Sequence, residues 1–157
     1  MKVKSFSLNV PPYLKKYLEG KYPLDDFGRI RASKTNMLGA IVMMSLQVVN
    51  RPRTLVFDRN KAFVTLRYYD DLFYRQVPSD KYSHLQRCLD DMFRTDLISF
   101  VNGRRKGSES FMIYIIEFFA AYCIDADEDG LSFDAARKII RDASNKNIFS
   151  VNRPNAI

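Results

Sequence analysis

The sequence has no tryptophan, only two cysteines and a single histidine. A structural Cys/His zinc site takes about four ligands, more than Cys88, Cys123 and His84 supply, so that chemistry is excluded. No apolar run reaches the roughly 18–20 residues of a membrane span. Met37–Leu46 and Phe111–Ile124 come nearest, and Gly39, Ser45 and Glu117 interrupt them. The opening MKVKSFSLNVPP is charged and lacks an apolar centre, so no secretory signal is expected there. The glycine-rich GxxxxGK[ST] loop, GxSxG and HExxH are all missing. Neither an enzyme nor a cofactor is expected from such a chain. With 6 Gly and 6 Pro in 157 residues, collagenous and low-complexity classes also fall away.

What the chain does have is aromatic residues and positive charge. Its 12 Phe and 9 Tyr suffice for a core, and the formal net charge is +7. Residues 1–107 carry 20 Lys and Arg against 10 Asp and Glu. Residues 108–136 carry seven acids and no base, and residues 137–157 return to five bases against one acid. A basic body with one acidic segment is a footprint of polyanion binding, although the same charge also serves solubility.

Hydrophobic period then divides the chain. Val3–Val10 alternates with period two and predicts a half-buried strand. Pro12 suits the first turn of a helix carrying Tyr13, Leu14, Tyr17 and Leu18, which Gly20 should close. Residues 21–32 read as a loop. Ser33 is the expected N-cap of a buried helix over 34–49. Residues 54–57 and 63–69 read as a hairpin around Asp58-Arg59-Asn60-Lys61. Helices are expected over 80–100, over 111–123, and over 133–144 behind the cap Ser132. The expected fold is therefore α+β and mostly α: about five helices with a small antiparallel sheet built from the N-terminal strand and the central hairpin. A single domain over 1–157 is expected, with a C-terminal helical pair over 110–145 and a frayed tail over 146–157.

Three segments could carry function. Asn102–Ser108 (NGRRKGS) sets Arg104, Arg105 and Lys106 between glycines, a loop that could follow a phosphate backbone or simply be solvated. On the last helix Arg137, Lys138 and Arg141 should face outward behind a buried helix, the outline of a helix-turn-helix reader with an overlong connector. The acidic run Asp125–Gly130 matches half of an EF-hand loop, with Asp125, Asp127 and Asp129 as candidate calcium ligands. Position 12, where a bidentate glutamate belongs, is Ala136, so an acidic turn leading into a helix is the better reading. His84 and Cys88 invite a Cys–His pair, but Cys88 and Cys123 both fall on apolar helix faces, where free and poorly reactive thiols are expected.

The segments SFSLNVPPYLKKYLEG and EFFAAYCIDADEDGLSFDAARKIIRDA give the chain a resemblance to small uncharacterised proteins of phages and mobile elements of Bacteroidetes-type bacteria, proteins taken to be DNA-associated. The final helix has fewer cations than that pattern, which counts against direct base reading. The resemblance and the charge together imply a non-enzymatic, cytoplasmic nucleic-acid-binding protein of a bacterial or infected cell, DNA being favoured over RNA. Its expected contacts are Arg104, Arg105, Lys106, Arg137, Lys138 and Arg141. It would have no membrane contact, and homo-oligomerisation is compatible with it. The alternative is a structural or assembly component of a phage or mobile element that binds an acidic protein.

Overall fold

The computed structural model describes residues 2–51, 57–71 and 75–151. The chain is α+β and mostly α, 51% helical, with a three-stranded and a two-stranded sheet. It divides into two compact units, Met1–Met92 and Phe93–Ile157.

Unit 1 is built on the strand β1 (Lys2–Asn9) paired antiparallel with β4 (Phe63–Asp70), Lys2 opposite Asp70 and Asn9 opposite Phe63. Alternation selects the buried face: Phe6 and Leu8 on β1, with Val64, Leu66 and Tyr68 on β4. Lys4 and Asp70 fall in phase with these apolar residues and turn inward too. They pair at 3.0 Å, the Asp70 side chain only 6% exposed. Val3 is out of phase and lies exposed.

The sheet is mixed rather than antiparallel. The short β2 (Ile30–Arg31) runs parallel to β4 on its other edge, and Ala32 N–H donates to the Arg67 carbonyl at 2.8 Å. Residues 54–56 of the expected hairpin's first strand lie outside the described residues, and β4 takes β1 and β2 as its neighbours. The two-stranded sheet pairs β3 (Gln47–Val48) with β5 (Arg75–Gln76).

Helix α1 (Pro12–Lys21) buries Tyr13, Leu14, Tyr17 and Leu18 as its spacing predicts. It runs past Gly20, and its end is set by Pro23, which forces Tyr22 into an extended conformation. Helix α2 (Met37–Ser45) is shorter than expected, and Asn36 caps it: its Oδ1 accepts the Gly39 N–H at 2.7 Å. Ser33 instead turns its Oγ onto the Thr35 N–H in a preceding turn. Nor is α2 wholly buried, since Met37 and Met44 are 64% and 80% exposed. A single 3₁₀ turn (Ser79–Lys81) leads into α3 (Tyr82–Arg104).

The division between the units falls within α3. In unit 2 that helix supplies Phe93, Leu97 and Val101 to a core shared with Ile115, Phe118 and Phe119 of α4 (Phe111–Ala121) and with Ala136 and Ile140 of α5 (Phe133–Val151). Phe118 packs edge-on against Phe93 and Phe100, and Phe119 stacks on Phe133. Ser110 caps α4, and Ser132 Oγ accepts the Ala135 N–H at the start of α5 as expected. Helix α5 continues seven residues beyond Ser144, so its last turns occupy part of the segment expected to fray. Among the described residues, no helix is long and apolar enough to cross a membrane.

Candidate nucleic-acid interface

The NGRRKGS segment is half helix and half turn. Arg104 is the last residue of α3. Its Nη1 donates to Glu117 Oε2 at 2.9 Å, and its guanidinium lies 4.3 Å from the centre of the Phe100 ring. Arg105 Nε donates to the Glu109 carbonyl at 2.9 Å while its guanidinium covers the Phe111 ring at 4.0 Å. Glu109 turns its carboxylate back into the loop, accepting the Tyr114 O–H and the Lys106 backbone N–H. Those two hydrogen bonds hold the Glu109 carboxyl below its ordinary value, and the bond to Glu109 pushes the Tyr114 phenol up. The Lys106 side chain is exposed. Two of the three cations are therefore engaged by neighbouring acceptors and rings.

On α5, Arg137, Lys138 and Arg141 are all exposed. Lys138 lines a shallow cavity of about 510 Å³ with Arg94, Asp142 and Lys146. Among the described residues, no hydrogen bond or ion pair connects Arg104–Lys106 with these α5 cations.

Two carboxylates of the acidic segment, those of Asp125 and Asp129, bond to its own backbone. Asp125 Oδ1 accepts the N–H groups of Asp127 and Glu128, and Asp129 Oδ2 accepts the Asp125 N–H at 2.6 Å. Asp129 is buried, and Gly130 takes the positive φ of 79° that the turn requires. Asp125, Asp127 and Asp129 thus form a turn, and among the described residues no three acidic, histidine or cysteine side chains assemble a metal-binding group.

Charge divides sharply between the units. Unit 1 holds 16 Lys and Arg against nine Asp and Glu, so all of the +7 resides there. Unit 2 holds nine of each and is formally neutral. All six expected contacts, Arg104, Arg105, Lys106, Arg137, Lys138 and Arg141, lie in the neutral unit. Within unit 1, Arg31, Lys34, Arg51 and Arg87 are exposed and make no ion pair among the described residues.

Unit 1 also contains a cleft of about 810 Å³ where the end of β1, the start of α1 and α3 meet the turn 58–62. Its floor is apolar, with Val10, Pro11, Pro12 and Ala62, and Lys61 and Arg87 stand among its lining residues. The walls are braced. Asn9 donates to the Asp58 carbonyl at 2.8 Å and accepts the Asp58 N–H at 2.9 Å, which fixes the turn carrying Arg59 and Lys61. Gln86 of α3 donates to the Asn9 carbonyl, and Tyr13 donates to Asp90 at 2.7 Å. Lys15 lies over the Phe63 ring at 5.7 Å. Residues 9, 61 and 87 are far apart in sequence, and no local period marks them as neighbours; Asn9 at a strand end was the one available signal.

No known protein family, curated protein or solved structure matches this chain.

Proposed function

We propose that the chain is a non-enzymatic nucleic-acid-binding protein whose phosphate contacts come from unit 1, with Lys61 and Arg87 beside the cleft at their centre. The observation that supports this is the placement of the entire net charge of +7 in unit 1. Phosphate neutralisation by Lys and Arg is the general source of non-specific affinity for nucleic acid. Arg87 stands exposed on α3, and Lys61, although it lies 3.9 Å from the Asp58 carboxylate, is 75% exposed, so that long and solvated pair leaves its ammonium open to a phosphate. Both are accessible to a backbone passing over the cleft. Arg137, Lys138 and Arg141 provide a secondary surface on this reading. A cytoplasmic location goes with it, and duplex DNA is the first probe. At low salt a gel-shift titration should show binding, since non-specific dissociation constants run from about 1 to 100 µM even at physiological salt. No shift with either duplex or single-stranded DNA at about 100 µM protein overturns the reading.

A second reading has its own support. Met37, Met44 and Val48 of unit 1 are 64%, 80% and 74% exposed, more large apolar surface than a phosphate contact uses. An assembly component of a phage or mobile element would place these residues, with the basic surface, against an acidic protein or a second copy. Such a protein elutes from immobilised duplex DNA at low salt, whereas the nucleic-acid binder is retained.

A further inference from the structure

The nucleic-acid reading leaves one constellation of unit 1 unused. A cavity of about 240 Å³ is lined by Ile41, Met44 and Ser45 of α2 together with Lys81, His84 and Cys88. Cys88 Sγ lies 3.6 Å from His84 Nε2. The two residues are one turn apart on α3, so the helix backbone itself maintains the pair. Cys88 is half-buried and opens on the cavity, while His84 is exposed. A thiol in contact with an imidazole can pass its proton to the ring as the sulfur attacks. Lys81 adds a cation to the same cavity, which favours an anionic reagent. The other cysteine supplies a contrast: Cys123 is exposed, in the turn after α4, and among the described residues its thiol makes no hydrogen bond or ion pair.

We propose that Cys88 is a thiol–disulfide exchange site selective for small anionic disulfides, with His84 as its base and Lys81 as the contact for the reagent's anionic group. The thiol proton moves to His84 Nε2 as the Cys88 sulfur bonds to one sulfur of the reagent. The reagent's S–S bond breaks, and its second sulfur leaves as a thiolate. Cys88 is oxidised to a mixed disulfide while the reagent is reduced, so no further oxidant is needed. The site is independent of the cleft and of nucleic-acid binding.

Two reagents test this on the full chain: dithionitrobenzoate, a dianionic disulfide, and dithiodipyridine, its neutral counterpart, with the modified peptide assigned by mass spectrometry. Cys88 should react with the dianion about tenfold faster than Cys123, although Cys123 is the more exposed. His84→Gln should slow Cys88 by about tenfold with both reagents, and Lys81→Met should slow it with the dianion alone. The Cys123 rate, unchanged in both variants, reports that the fold is intact. Cys123 reacting as fast as Cys88, or a Cys88 rate unmoved by His84→Gln, overturns the proposal. Equal slowing of both reagents by Lys81→Met overturns its charge selectivity.

Discussion

Arg104 and Glu117 are bonded to each other at 2.9 Å, joining the last residue of α3 to the middle of α4. With the Phe100 ring on its face and Nη1 bonded to Glu117, the Arg104 guanidinium is partly engaged before any phosphate approaches. Both side chains are about half exposed, 56% and 45%, so the pair adds little stability, about 0–1 kcal/mol. Its consequence is competitive: a local carboxylate already occupies one of the donors that an external anion would use. Glu109 does the same to Arg105 through its carbonyl. Of the three consecutive cations, two are therefore partly engaged by neighbours and Lys106 stands exposed.

Gly39 lies where the start of α2 meets the Ser33 carbonyl. A Cβ built on it would stand 1.7 Å from that oxygen and 2.3 Å from the carbonyl carbon, both backbone atoms. Helix propensity favours alanine by about 1 kcal/mol, but backbone overlap outweighs that. Gly39→Ala should destabilise the protein by about 2–3 kcal/mol, read as a lowered urea midpoint. A variant as stable as the parent would mean that the turn 33–36 does not approach α2 this closely.

Tyr82 stacks on Phe6 with ring centres 6.0 Å apart, and its buried hydroxyl has no hydrogen-bond partner among the described residues. Burial pushes its phenol up to about 12. Removing an unsatisfied buried hydroxyl while keeping the ring should help, so Tyr82→Phe is expected to stabilise by about 1 kcal/mol. Thermal melting checks this, and a drop in midpoint of several degrees would show that the hydroxyl has a partner.

The parts of the fold that were legible are those set by local period and local caps. Phe6, Leu8 and Val10 alternate, Tyr13 to Leu18 recur at helical spacing, and Ser132 stands just before a helix. What was not legible depends on residues distant in sequence. Two residues, Ile30 and Arg31, become a strand because β4 has a free edge, and nothing in a dipeptide announces that. Ser33 and Asn36 are both good caps; the turn between them leaves Asn36 at the helix start. The basic loop was visible, but its neutralisation was not, because Glu117 reaches Arg104 only once α3 and α4 pack. Lys61 and Arg87 become neighbours of the same cleft through Asn9 and Gln86, a juxtaposition with no sequence signature.

Asp25 organises the loop before β2. Its carboxylate accepts N–H groups from Phe27 and Arg29 and is paired with Arg29 at 2.8 Å and Arg67 at 3.2 Å. Burial opposes its charge, and the hydrogen bonds, chiefly from Arg29, outweigh burial and hold the carboxyl near 2 instead of 3.8. The unfolded chain therefore takes up this proton first as the pH falls. Stability from Asp25 is complete above about pH 4 and is lost as the pH drops towards 2. Asp25→Asn should be less stable than the parent at neutral pH, and the gap should narrow on acidification. Urea melts across the acid range decide it; a gap independent of pH would contradict the assignment.

The acidic turn makes a calcium prediction. Asp125 and Asp129 already accept backbone N–H groups, and Ala136 supplies no bidentate ligand. Calcium at about 1 mM should therefore leave the melting temperature unchanged, since an EF-hand sensor would bind at about 0.1–10 µM and stabilise the fold. A saturable calcium titration in that range would restore the segment as a metal site.

The salt response locates the nucleic-acid surface. Each phosphate neutralised on duplex DNA contributes about −0.9 to the slope of log K against log salt. If Lys61 and Arg87 each neutralise one, replacing both with Ala should flatten the slope by about 1.8. The loss should be similar for all DNA sequences, because phosphate contacts position a protein without specifying a base. Arg104→Ala with Arg105→Ala should change the slope by well under one phosphate, since their guanidinium groups are held by Glu117, Glu109 and two aromatic rings. A triple replacement of Arg137, Lys138 and Arg141 measures the share of α5 on the same scale. Gel-shift titrations between about 50 and 200 mM salt give every slope. The reverse result, a flattened slope for the Arg104 and Arg105 variant and an unchanged one for Lys61 and Arg87, would return the interface to the formally neutral unit. Nucleic acid would then compete with Glu117 for the Arg104 guanidinium, and the double variant Glu117→Gln, Arg105→Ala would bind more tightly than Arg105→Ala alone.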